Sequence, residues 1–182
     1  VLDAFNQPVA SDTLTLSWGH VPPGPTDNIA SDAGELDADL ATAGAQRAGT
    51  VSLGLLRGSW LAGTRAGGYA IKATASNGRE AFAQVTLVPG PADHFQGNVL
   101  LAAPSETEVA GSSATVTGVL LDEFDNPVPD ATVNLTASIG TIDATARTSA
   151  DGSFTATFVP SSVAGTAVVT ARSGIATASV AI

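Results

Sequence analysis

The chain has 182 residues, a formal net charge of −10 and neither cysteine nor methionine, which excludes disulfides and thiolate metal sites. Its seven cations are scattered, leaving no basic footprint for nucleic acid and no positive face for anionic lipid. No run reaches the roughly 18 apolar residues of a membrane span. A hydrophobic content of 44% with only 5% aromatic residues points to thin cores of small side chains. Lys72 is the single lysine, and Ser and Thr fill the positions where helices would carry Glu and Lys; that favours strands.

In chain order, VLDAFNQPV at 1–9 leads to a strand in which Leu14, Leu16 and Trp18 alternate with Thr13, Thr15 and Ser17. Loop-like residues follow at 19–33, then GELD at 34–37, loop-like residues at 42–48, GTVSL at 49–53 and a third loop at 56–66. Tyr69, Ile71 and Ala73 alternate with Ala70 and Lys72, the turn Ser76 to Gly78 follows, and Ala81, Ala83, Val85 and Leu87 alternate with Phe82, Gln84 and Thr86. VPGPAD at 88–93 reads as a junction, whose two prolines restrict bending. Strands are then predicted near 95–102, 112–122, 131–138, 141–147, 153–159, 165–172 and 175–182. Apolar residues on one face and hydroxyls on the other mark half-buried strands, and their spacing with intervening turns reads as a β-sandwich.

The chain also repeats itself. LLDEFDNPV at 120–128 restates the opening phrase at an offset of 119 residues. GELD aligns with GTID at 140–143, GTVSL with GSFTA at 152–156, and GGYAIKA at 67–73 with GTAVVTA at 165–171. Order is kept while the offset shrinks, so the first copy is expected to carry insertions at the three loops. The domains expected are 1–88, a linker at 89–93, and 94–182.

The second copy resembles the group-one bacterial immunoglobulin-like repeat of invasin- and intimin-type adhesins. Asp122, Asn126, Pro127, Val128, Gly140, Thr148, Gly152, Gly165, Val169 and Ala171 fit its pattern. The first copy fits more loosely, with Asp3 and Pro8 in place but Gln7 replacing Asn. The resemblance implies an all-β protein of tandem immunoglobulin-like sandwiches, the first lacking its N-terminal strands. It implies structural stalk repeats of an exported bacterial cell-surface adhesin, in an extracellular setting, with neighbouring repeats or like subunits as partners and a host or cell-surface protein or glycan as a further one. A filament subunit completed by strand donation and an accessory module of a secreted polysaccharide-active enzyme are the alternatives.

Each motif residue has a structural reading. Pro127 fixes φ and directs the chain into the strand near Ala131. Asp122 can accept backbone N–H bonds within its turn, and Gly140, Gly152 and Gly165 suit positive φ. About 26 residues precede the repeated phrase in the second copy and none do in the first. The expectation is that the chain was cut from a longer polypeptide, or that a neighbouring chain supplies the strands.

Reaction chemistry is sparse. His20, in a Pro-rich loop, and His94, at the junction, lack nucleophile or ligand partners in sequence. Glu35, Asp37 and Asp39 read as a solvated strand face. Asp122, Asp125, Asp130 and Asp151 offer the hard oxygens that calcium takes, without the spacing of a recognised calcium loop. Trp18 fits a core position, whereas Trp60, in the third insertion, is the candidate interaction residue.

Overall fold

A computed structural model of the chain describes residues 1–2, 5–8, 11–20, 34–37, 46–52, 59–98, 100–103 and 112–182. The chain forms two compact units, Val1–Val88 and Pro89–Ile182. The first contains β1 (Ser11–His20), β2 (Gly34–Asp37), β3 (Gln46–Ser52), β4 (Ser59–Ala62), β5 (Gly67–Ala75) and β6 (Glu80–Leu87). The second contains β7 (His94–Phe95), β8 (Leu101–Ala103), β9 (Ala114–Leu121), β10 (Thr132–Ala137), β11 (Thr141–Ile142), β12 (Thr145–Arg147), β13 (Ser153–Val159), β14 (Val168–Ser173) and β15 (Ala176–Ala181).

The second unit is a sandwich of two antiparallel sheets. One has the order β12-β10-β14-β15; the other has β11-β13-β9-β7, with β8 also on β9. Alternation places Val133, Leu135, Phe154, Ala156, Phe158, Val169 and Ala171 in the core. Small residues fill most of it, and Phe95 and Phe154 meet edge-on with ring centroids 5.8 Å apart.

Two predicted strands are broken. The first splits into β7 and β8 around a 3-10 turn at Gln96–Asn98, where Gly97 has φ 64°. The strand expected over 141–147 divides because β11 pairs with β13 and β12 with β10. The chain thus crosses between sheets at Asp143 and Ala144, and the Asp143 carboxylate accepts the Thr157 N–H at 2.8 Å.

The first unit repeats this plan. Its order β3-β1-β5-β6 matches β12-β10-β14-β15, while β2 pairs with β4 as β11 does with β13. This pairing corrects the sequence alignment. It is β4, not β3, that corresponds to β13, so residues 59–62 are a strand and the third insertion is not one. His20 likewise ends β1, opposite Tyr69, rather than lying in a loop. Among the described residues the second sheet of this unit has two strands, against five in the other unit. The alternation on its larger sheet is correspondingly less buried: Ala81 and Ala83 are exposed, whereas Ala178, across from Ala171 as Ala81 is from Ala73, is buried.

Candidate functional site

The repeated phrase folds into the same turn twice. Leu121 bridges Pro127, and Leu2 bridges Pro8. Asp125 has φ 62° and Asn6, at the matching position, has φ 64°; Asp and Asn tolerate this left-handed conformation best after glycine. Phe124 and Phe5, each one residue earlier, are both exposed. Asp3 lies outside the described residues.

Asp122 organises the second turn. Its carboxylate is 1% exposed. Oδ1 accepts the backbone N–H groups of Phe124 and Asn126, each at 2.9 Å, and the Asn126 side-chain amide at 3.1 Å. Oδ2 accepts that amide at 2.9 Å and the Gly90 N–H at 2.8 Å. Burial alone would raise its pKa, but these bonds from Asn126, Gly90 and Phe124 together outweigh burial and lower it.

The bond to Gly90 fastens the stretch at residues 89–93 to the second unit. The Asp93 N–H donates to the Leu121 carbonyl at 2.9 Å, and Ala92 packs against the core. The His94 ring adds a clasp, with Nδ1 3.1 Å from Asp93 Oδ2 and Nε2 3.0 Å from Asp125 Oδ1.

Two residues of the connection between β12 and β13 brace the turn. The buried Thr148 hydroxyl donates to the Val128 carbonyl and accepts the Ala131 N–H, both at 2.8 Å. Gly152 has φ 74°, and a Cβ there would lie 2.5 Å from the Leu120 oxygen and 3.3 Å from Pro127 Cα. Thr148→Val keeps the shape but leaves both backbone groups without this partner. It is expected to destabilise the second unit by about 2 kcal/mol, read as a lower urea midpoint at unchanged slope, with Thr148→Ser retaining most of the difference.

Comparison with known proteins fits this architecture. No family model matches the sequence, and no curated protein does either. Among solved structures, the Escherichia coli adhesin FdeC is 23% identical over 98% of this chain and 55% of its own, with a TM-score of 0.61. The chain has an immunoglobulin-like sandwich fold similar to that of this structure. Invasin, a bacterial integrin-binding protein, is 19% identical over 100% of this chain and 34% of its own, with a TM-score of 0.47. The D0-D1 domain of intimin is 19% identical over 96% and 83%, with a TM-score of 0.43. The chain thus spans about a third of the invasin structure and about half of the FdeC one.

Within this fold the remaining sequence candidates separate. The four carboxylates considered for calcium do not converge. Asp122 is occupied by N–H donors, Asp125 faces His94, and Asp130 faces Arg147 Nε at 3.2 Å. Asp151 accepts the hydroxyls of Ser149 and Ser153 and the Ser153 N–H, which lower its pKa to about 2. Among the described residues no three His, Asp or Glu side chains stand together as metal ligands would. Gly140 has φ 78°. Gly165 does not have positive φ; a Cβ there would instead lie 3.2 Å from Ile139 Cδ1, so close packing is its reason.

Trp60 is also reassigned. It pairs with Leu36 as Phe158 pairs with Ile142, so it stands in β4 rather than in an inserted loop. The pairing was the signal that sequence offsets alone did not carry. Trp18, in β1, pairs with Ile71.

Proposed function

We propose that the two units are spacer repeats of an exported bacterial surface adhesin, sandwiches in series that hold another part of the parent protein away from the cell. The observation that carries this reading is the fastening of Gly90 by Asp122 at 2.8 Å. A spacer transmits position only if the chain entering each unit is held to it. Here two residues, Val88 and Pro89, separate the end of β6 at Leu87 from that hold, and Pro89 fixes its own φ. The adhesin structures of like fold support the extracellular setting. The role is mechanical, with neighbouring repeats as immediate partners and a cell-surface protein or glycan as the target of the parent adhesin.

Pulling the full chain from its two ends in a single-molecule force experiment tests the proposal. The second unit is expected to open in one cooperative step. In Asp122→Ala, residues 90–93 should peel first, adding up to roughly 14 Å of chain, and the main step should fall to lower force. Stepwise opening of the unaltered second unit at low force would defeat the spacer role.

A second reading, a filament subunit completed by strand donation, has one observation in its favour. Among the described residues β4 pairs only with β2, whereas β13 pairs with both β11 and β9. A peptide with the sequence of residues 114–121 should then bind the chain and protect the amides of β4 from exchange; no protection at saturating peptide would reject it.

A further inference from the structure

We propose that Asn77–Gly78, at the tip of the hairpin joining β5 to β6, is a self-modification site at which the chain converts to isoaspartate. Asparagine amides are chemically labile, and the reacting groups are neighbours. The Gly78 backbone nitrogen attacks Asn77 Cγ. An N–Cγ bond forms, the bond from Cγ to the side-chain nitrogen breaks, and that nitrogen leaves as ammonia with the proton Gly78 gives up. Water then opens the cyclic imide. Its attack on Cγ leaves aspartate in an ordinary chain. Its attack on the main-chain carbonyl leaves isoaspartate, with the chain running through Cβ and Cγ.

The surroundings single this pair out. Ser76 to Glu80 are all exposed, and no atom outside the adjoining residues lies within 4 Å of where a Cβ on Gly78 would stand, so the main chain has room to turn. The Arg79 N–H donates to Asn77 Oδ1 at 3.0 Å, which draws electrons from Cγ and favours attack there. The Gly78 N–H donates to the Ala75 carbonyl at 2.9 Å; this bond must break first, in an exposed hairpin tip where local opening costs least. Asp151–Gly152, the single Asp–Gly pair, is the opposite case. Its carboxylate accepts both neighbouring serine hydroxyls and the Ser153 N–H, and with a pKa of about 2 it stays ionised, a poor target for a nitrogen. Gly152 has no room, since a Cβ there would meet the Leu120 oxygen at 2.5 Å. Asn126 precedes Pro127, which has no N–H to give up. The other asparagines precede residues whose side chains crowd the attack.

The products differ in effect. Both add a carboxylate near Glu80, which pairs with Lys72 at 3.0 Å. Isoaspartate also lengthens the main chain of the tip. That disturbs the bonds closing it, from Gly78 to the Ala75 carbonyl and from the Ala75 N–H to the Arg79 carbonyl at 2.9 Å. Among the described residues β6 pairs only with β5, so the start of β6 loosens.

Ageing the folded full chain at mildly alkaline pH, followed by tryptic mapping with mass spectrometry, tests this directly. Cleavage after Lys72 and Arg79 releases residues 73–79. This peptide should gain the mass of an amide-to-acid exchange, with isoaspartate the larger product, before any other asparagine peptide changes and while the Asp151 peptide stays free of isoaspartate. Asn77→Gln, whose longer side chain closes a larger ring slowly, should lose the change. Hydrogen exchange of the aged chain should quicken at the start of β6, whereas Asn77→Asp keeps the acceptor for the Arg79 N–H and should leave that exchange unaltered. Product in residues 73–79 only when the chain is held in urea would show that the folded hairpin blocks the reaction. That result, earlier reaction at another asparagine or at Asp151, or an aged hairpin that exchanges like Asn77→Asp would each overturn the proposal.

Discussion

Gly152→Ala is expected to destabilise the second unit by about 3–4 kcal/mol, a large share of the roughly 5–15 kcal/mol that holds a typical domain folded. Two effects add. An L-residue held at the observed φ of 74° costs about 1–2 kcal/mol. The remainder comes from contact, because the new Cβ would sit 2.5 Å from the Leu120 oxygen, closer than nonbonded atoms approach. Neither atom is the end of a flexible side chain, so relief requires moving β9 or the repeated turn. Gly174→Ala is the internal comparison. Its φ is 56°, and its nearest neighbour, the Ala92 oxygen, is 3.3 Å away, so its cost should stay near the conformational part, about 1–2 kcal/mol. Equal urea midpoints for the two variants would show that close approach at Gly152 is not what the fold depends on.

Asp122→Ala is expected to cost about 3–4 kcal/mol. It removes the acceptor for three backbone N–H groups and for the Asn126 amide in a site where the carboxylate is 1% exposed. Asp122→Asn keeps one acceptor oxygen but turns an amide toward existing donors, and should lose a smaller part. The carboxylate also sets a pH dependence. Its folded pKa lies below the ordinary value of 3.8, so below pH 3.8 the unfolded chain takes up a proton that the folded chain does not. Its stabilising contribution is therefore complete above that value and is lost as pH falls through the lowered folded value. Urea titrations should show the unaltered chain losing stability in this window more steeply than Asp122→Asn. Parallel pH profiles for the two would remove Asp122 from its central place.

Sequence carried the sandwich, the duplication and the repeated turn because each leaves a local mark. Leu135, Phe154 and Val169 alternate with hydroxyl residues, and the turn is spelled by Asp, Asn and Pro at fixed spacing. What it did not carry is non-local. In residues 59–62 Trp60 and Leu61 are adjacent apolar residues without a period of two, so β4 was recognisable only by its pairing with β2. The glycine-led segment at 49–53 resembled that at 152–156 in composition but pairs with β1, as β12 pairs with β10. Gly90 read as a linker residue, since its hold comes from a carboxylate 32 positions away. Gly165 looked like a turn glycine, although its constraint is the Ile139 side chain, 3.2 Å from where a Cβ would lie. Thr148 fitted the motif, yet its bonds to Val128 and Ala131 could be assigned only once β10 and β12 were side by side.

Hydrogen exchange at the Gly90 amide of the full chain tests the central claim most directly. If the repeated turn fastens the entering segment to the second unit, Gly90 and Asp93 should exchange as slowly as Leu120, through global opening of that unit. In Asp122→Ala, Gly90 should become fast while Leu120 stays protected by its bond to the Gly152 carbonyl. Free-peptide exchange at Gly90 in the unaltered chain, beside a protected Leu120, would show that residues 89–93 are a loose tether and would contradict the account.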